Sequence, residues 1–148
     1  MKANKLVLNF LTLGFIGYLP APGTMATLFT LPFIYLFYLT GSINYFIITL
    51  CLTLLAYLSI NFINKFLKHD PAEVVIDEFI GCLFTFIAIK VTLKTLLLGF
   101  ILFRIFDITK PFGIKRIEKL PGAAGILLDD IAAGLLSNIL LQLYVRYG

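Results

Sequence analysis

The chain has 148 residues, of which 60% are hydrophobic and 14% charged, and twelve Lys and Arg outweigh eight Asp and Glu to give a formal net charge of +4. Soluble domains are about 45–50% apolar with about a quarter of their residues charged, so this composition, with a mean hydropathy of +1.00, excludes a water-covered globule and requires an outer surface that faces lipid. One domain fits this length, which excludes a separate soluble catalytic domain and leaves helix ends and loops to build any site; the basic excess reports topology and anionic headgroups rather than a nucleic-acid partner.

In chain order, residues 6–19 form an apolar run after Lys2 and Lys5 and predict an additional helix, interfacial or partly inserted. The run also has the outline of a signal peptide, followed by small residues at 21–26. Cleavage there would discard the motif GYLPAPGTM at 17–25, so the N-terminus is read as retained. That motif predicts a fixed turn and then a helix from about Thr24, with Thr24 as its cap and Pro32 tolerated near the start. Residues 41–63 carry no charge and are long enough to cross a hydrocarbon core of about 30 Å. Lys90 and Lys94 interrupt the apolar stretch 74–106, and a lysine at a helix centre costs roughly 2.5–3.5 kcal/mol. The expected solution is a hairpin, with helices over 75–89 and 95–107 and a turn at 90–94, each half short enough to require tilt or thinning. A last helix is expected over 130–147. The predicted fold is therefore all-α: a polytopic membrane helical bundle of about five membrane-embedded helices with an N-terminal interfacial or re-entrant helix.

Charge placement sets the expected topology. With five crossings, Lys2, Lys5, Lys65, Lys68, Arg104, Lys110, Lys115, Arg116 and Lys119 fall on the cytoplasmic side, and Lys90, Lys94 and Arg146 fall outside. The same layout puts all the carboxylates inside: Asp70, Glu73, Asp77, Glu78, Asp107, Glu118, Asp129 and Asp130.

Four segments carry chemistry. In DPAEVVIDEFIG, 70–81, a helix would align Asp70, Glu73 and Asp77 on one face. A helix dipole accounts for Asp70 and Glu73 but poorly for Asp77-Glu78, which apolar residues flank on both sides and which need a cation or proton. In FRIFDITKPFGI, 103–114, Arg104 and Asp107 are i, i+3 neighbours, ordinarily a local ion pair, and the hairpin returns them with Lys110 to the level of Asp77-Glu78. In GILLDDIAAG, 125–134, Asp129-Asp130 are expected to open the last helix; a cap accounts for one of them and leaves the other surplus. Ala133, Gly134 and Ser137 beyond them form a small-residue face for close helix approach. The segment 17–25 is either a plain helix start or an anion cradle of backbone N–H groups. Together these offer carboxylate oxygens suited to Mg²⁺, and Arg, Lys and a helix N-terminus suited to phosphate. His69 is the single histidine, which excludes a histidine-rich zinc site. Cys51 and Cys82 are read as small buried apolar residues, and neither is followed six positions on by the Arg of a cysteine-dependent phosphatase loop.

At these blocks the sequence resembles the phosphatidylglycerophosphatase A family, over 17–134. The match is carried by Asp70-Pro71 with Val75, Asp77-Glu78 and Gly81, by Phe103-Arg104 with Asp107 and Lys110-Pro111, and by Asp129-Asp130 with Ala133-Gly134. The chain departs from the family's pattern at Ala26, at Phe112-Gly113 and at Ala123-Ala124, while all the charged motif residues are present. The resemblance implies a single membrane-embedded phosphatase domain over 1–148 in the bacterial cytoplasmic membrane, with its active site on the cytoplasmic face. Its implied reaction is Mg²⁺-dependent hydrolysis of phosphatidylglycerophosphate drawn from the bilayer, giving phosphatidylglycerol and phosphate. On that basis Asp77, Glu78, Asp129 and Asp130 are expected to hold the metal, which can lower the pKa of bound water. Arg104, Lys110, Gly23 and Thr24 are expected to bind phosphate, and Asp107 either orients or deprotonates the attacking water or positions Arg104. The competing readings are a divalent-cation transporter or other membrane protein with carboxylate metal sites, and a non-catalytic assembly subunit. A transporter would hold its carboxylates near the midplane rather than at helix ends on one side, and an assembly subunit leaves the acidic set unexplained.

Overall fold

The computed structural model describes residues 2–64 and 73–148. The described residues are all-helical: α1 (Lys2–Leu11), a 3₁₀ turn (Ile16–Tyr18), α2 (Pro22–Tyr38), α3 (Ser42–Asn64), α4 (Ile76–Thr85), α5 (Leu93–Thr109), α6 (Ile114–Ile117) and α7 (Ala123–Tyr147). Two of them, α3 and α7, are long and apolar enough to cross a membrane, with hydropathies of 2.2 and 1.6. At 17 residues each, α2 and α5 rise about 25 Å. Ile43, Ile47, Leu54 and Leu58 of α3 and Ile139 and Leu143 of α7 lie exposed on the outer surface. Cys51 is exposed there too, because a lipid-facing helix has no reason to turn an apolar side chain inward; Cys82 is buried.

The short helix α4 is the centre of the molecule. Ile76 and 79–85 are buried, with α7 as the main neighbour and α2, α3 and α5 around it. Phe79 meets Phe33 of α2 edge-on, with ring centroids 5.7 Å apart. The crossing with α7 depends on two glycines. A Cβ on Gly81 would stand 2.6 Å from the Asp130 carbonyl oxygen, and one on Gly134 would collide with the Gly81 carbonyl. The small face read from the sequence is this contact: Ala133, Gly134 and Ser137 are all buried. Two buried hydroxyls are satisfied within their own helices, Thr27 donating to the Gly23 carbonyl and Ser137 to that of Ala133, each at 2.8 Å.

Several boundaries differ from those predicted, for identifiable reasons. The N-terminal run is helical only over α1, since Leu13 and Gly14 take positive φ (50° and 70°) and turn the chain into the 3₁₀ segment. The next helix starts at Pro22, which suits the first helical position, so Thr24 lies inside the first turn and caps nothing. Of the expected alignment of Asp70, Glu73 and Asp77 on one helix face, the part between Glu73 and Asp77 does not form. Glu73 sits in a turn, and Val74-Val75 run non-helically while the Val75 N–H bonds the Leu11 carbonyl at 2.9 Å. Asp70, with Lys65, Lys68 and His69, lies outside the described residues. The first arm of the hairpin stops at Thr85 instead of continuing to 89, because Ala88 is left-handed (φ 58°) and residues 86–92 are irregular. Its second arm is α5, opened by a capping box of Thr92 and Thr95. The last helix begins at Ala123, two turns before Asp130, because Pro121-Gly122 end the preceding turn and Ala123, Ala124, Leu127 and Leu128 favour helix. Helix 41–63 matches α3 to within a residue at each end.

Replacing Gly134 with Val should separate α4 from α7. The expected loss is about 1–3 kcal/mol, seen as a lower midpoint of thermal unfolding in detergent; a parent-like midpoint would show that the crossing tolerates the added volume.

Candidate functional site

The N-terminus of α4, the C-terminus of α5 and the early turns of α7 meet at one end of the bundle. Because α4 begins at Ile76, Asp77 and Glu78 occupy its first turn, where free N–H groups and the macrodipole favour negative charge. That local benefit is unavailable to Asp129 and Asp130. They lie in the second and third turns of α7, so neither caps a helix, and they are 5% and 3% exposed. The Gly81–Gly134 crossing brings the two acidic pairs together.

Asp77, Glu78 and Asp130 each present an oxygen within 4.8 Å of the others. Oδ1 of Asp77, Oε2 of Glu78 and Oδ2 of Asp130 are buried without a hydrogen-bond partner. Converging carboxylates with orphaned buried oxygens are unfavourable unless a cation or a proton offsets their charge. The all-oxygen donor set suits a hard ion such as Mg²⁺. These residues fit a metal.

Asp129 is engaged differently. Its Oδ2 accepts from Lys110 Nζ at 2.5 Å and its Oδ1 from the Asp130 N–H at 3.0 Å. Lys110 is the C-cap of α5 in a left-handed conformation (φ 46°), ordinarily a glycine position, and it also contacts Glu118 Oε1 at 3.0 Å. Burial works against the Lys110 ammonium, but the hydrogen bonds and charges of Asp129 and Glu118 outweigh it and hold its pKa above the usual lysine value. Arg104 donates through Nη1 to Asp107 Oδ2, and its Nε is buried without a partner. Gly23, in the first turn of α2, closes the other side: a Cβ there would collide with Glu78 Oε1 and stand 3.2 Å from Arg104 Nη1. Thr24 follows, half-buried.

A cavity of about 220 Å³ opens between these groups, lined by Asp77, Glu78, Asp107, Glu118, Asp129, Asp130 and Lys110 with Gly125 and Ile126. Six carboxylates face one ammonium in it. The arrangement can bind a cation at Asp77, Glu78 and Asp130 and offers Lys110 to an anion beside it; Arg104, Gly23 and Thr24 do not line the cavity, and Arg104 is joined to it through Asp107. Glu118 was not among the candidate site residues. It stands in a basic, polar stretch where an acid looks solvated, and it reaches the cavity because the Leu120 and Glu118 carbonyls pack onto Gly125. Glu73 does not line the cavity.

The Lys110–Asp129 pair should be energetically coupled. Lys110→Met leaves a buried carboxylate unpaired and should cost about 1–3 kcal/mol. Adding Asp129→Asn should return part of that loss, with a coupling of about 1 kcal/mol or more in a double-mutant cycle of unfolding midpoints; strictly additive losses would show that the pair contributes nothing.

The sequence model of the phosphatidylglycerophosphatase A family matches residues 9–145. A Bacteroides thetaiotaomicron protein named "Putative phosphatidylinositol-3-phosphatase" is 32% identical over 139 residues, covering 84% of each chain. Phosphatidylglycerophosphatase A of Escherichia coli is 34% identical over 119 residues, 78% of this chain and 69% of its own. The Haemophilus influenzae enzyme of the same name is 38% identical over 124 residues, covering 81% and 76%. No solved structure gives a significant match.

Proposed function

The chain belongs to the phosphatidylglycerophosphatase A family, and from that premise we propose that this phosphatase hydrolyses the phosphomonoester of phosphatidylglycerophosphate with the help of Mg²⁺, releasing phosphatidylglycerol and inorganic phosphate. The observation that carries the reading is the meeting of Asp77, Glu78 and Asp130, with buried oxygens that lack partners, beside Arg104 and Lys110.

In this reading Asp77, Glu78 and Asp130 hold the ion, and Asp129 joins them when Lys110 turns to substrate. Bound Mg²⁺ supplies Lewis-acid neutralisation of phosphate oxygens. Arg104 and Lys110 grip the remaining oxygens, Arg104 through a planar fork that a lysine lacks. The first turn of α2 at Gly23 and Thr24 borders the same anion. Asp107 is held by Arg104 and faces the cavity, so it orients the attacking water or accepts its proton. The water oxygen forms the new P–O bond, the ester P–O bond breaks, and the headgroup oxygen leaves with a proton.

The same reading places α2, α3, α4, α5 and α7 in the bilayer of a bacterial cytoplasmic membrane, with α1 at the interface and the cavity open to the cytoplasmic face. The charge distribution along the chain supports this layout, as do the apolar lengths of α3 and α7.

The experiment is phosphate release by the purified protein in mixed micelles of phosphatidylglycerophosphate. EDTA should abolish turnover and Mg²⁺ restore it. Asp77→Asn and Asp130→Asn should insert normally and require at least about tenfold more Mg²⁺. Turnover that persists in EDTA would overturn the metal assignment. The name carried by the Bacteroides relative makes phosphatidylinositol 3-phosphate the second substrate to assay; faster release from it would move the substrate while leaving the reaction.

Arg104→Lys keeps the charge and loses the fork, so turnover should fall at least about tenfold while the Mg²⁺ requirement stays near that of the parent. A shifted Mg²⁺ requirement would mean that Arg104 acts through the metal ligands instead of the phosphate.

A further inference from the structure

The acids at the start of α4 are useful only if α4 cannot slide along α7. At the C-terminal end of α4 and just beyond it, the carbonyls of residues 83–87 each find a partner. The Tyr45 hydroxyl of α3 donates to the Leu83 carbonyl at 2.8 Å. The Phe84 and Phe86 carbonyls accept from the Ile87 and Ile89 N–H groups at 3.5 and 3.1 Å. The remaining two share one side chain: Asn138 Nδ2 donates to the Thr85 carbonyl at 2.9 Å and to the Ile87 carbonyl at 2.8 Å. Gln142 Nε2 donates to Asn138 Oδ1 at 2.8 Å, which fixes the orientation of the amide.

Asn138 stands on α7 in line with the site. Asp130, Gly134 and Asn138 are spaced by four residues and form one ridge along α4. Asp130 meets the acids of α4, Gly134 meets the backbone of Gly81, and Asn138 holds the carbonyl end. We infer that Asn138 is a positioning residue for the cation site: its two donated hydrogen bonds pin α4 lengthwise, so that Asp77 and Glu78 stay at the level of Asp130. It lies two turns, about 12 Å, from Asp130 along α7, and it does not line the cavity. It acts through the helix it holds. The inference rests on the proposed metal reading and adds a residue to which that reading assigns no role.

The test uses the full chain purified in detergent, with Mn²⁺ as the probe, bound in the absence of substrate and followed by paramagnetic resonance. Asn138→Leu keeps most of the volume and removes both donors. It should retain helicity, weaken Mn²⁺ binding about tenfold, and raise the metal concentration for half-maximal phosphate release by the same factor. At saturating metal the KM for lipid should stay within about twofold of the parent, because no substrate contact is lost. Unchanged Mn²⁺ affinity, with or without loss of turnover, would make Asn138 a packing residue and overturn the inference. If Asn138→Leu does not fold, Tyr45→Phe removes one hydrogen bond at the same end of α4 and should weaken Mn²⁺ binding about threefold; parent-like affinity there overturns the inference equally. A parent that binds no Mn²⁺ would sink the metal reading itself, an outcome distinct from a parent and variant that bind equally.

Discussion

Where α4 crosses α7, the backbone of Gly81 lies against that of Gly134, and a methyl group on either would strike the other helix. Apolar surroundings offer little hydrophobic drive for two helices to associate, so close backbone packing and buried hydrogen bonds must supply it. Each helix carries an acid one turn before its glycine, Asp77 on α4 and Asp130 on α7. The crossing that brings the glycines together therefore forces the carboxylates together, against their mutual repulsion. Tight packing thus holds together a site that electrostatics alone would disperse, and the cation proposed for it would relieve that repulsion.

The distribution of charge around that crossing separates the two function classes. A transport pathway would need its acids partway along the helices, with openings on both sides. Here all six cavity acids lie at one end, and the body of α4 fills the space behind them with buried residues from Phe79 to Thr85. Lys110, caught between Asp129 and Glu118, and Arg104, paired with Asp107, show how the site is balanced: two cations offset the three acids that lie outside the Asp77, Glu78 and Asp130 group.

The parts of this structure legible in the sequence are those whose cause is local. Residues 41–63 read as a helix because an uncharged run of that length has few alternatives, and α3 follows it closely. Asp77-Glu78 and Asp129-Asp130 stood out because, as doubled carboxylates among apolar neighbours, they exceed what caps and helix dipoles need. What stayed hidden is set from far away. The carbonyl that α4 leaves open at Thr85 is met by Asn138, 53 residues on, and nothing near residue 85 announces that partner. The start of α7 was displaced because Asp129-Asp130 imitate a cap, whereas Pro121-Gly122 end the preceding segment. Glu118 was invisible for the opposite reason, being one acid among lysines and arginines, and only the fold carries it to the cavity.

The closed floor that α4 makes beneath the acids bears on bookkeeping between compartments. On the membrane reading proposed above, a cavity sealed behind its reactive groups would be a dead end: a headgroup would enter and leave by the same mouth, and inorganic phosphate would return to the solution from which the headgroup was drawn. Turnover would then change the charge carried by a single leaflet without carrying phosphate or protons to the other, and the electrical gradient across the membrane would be left undisturbed.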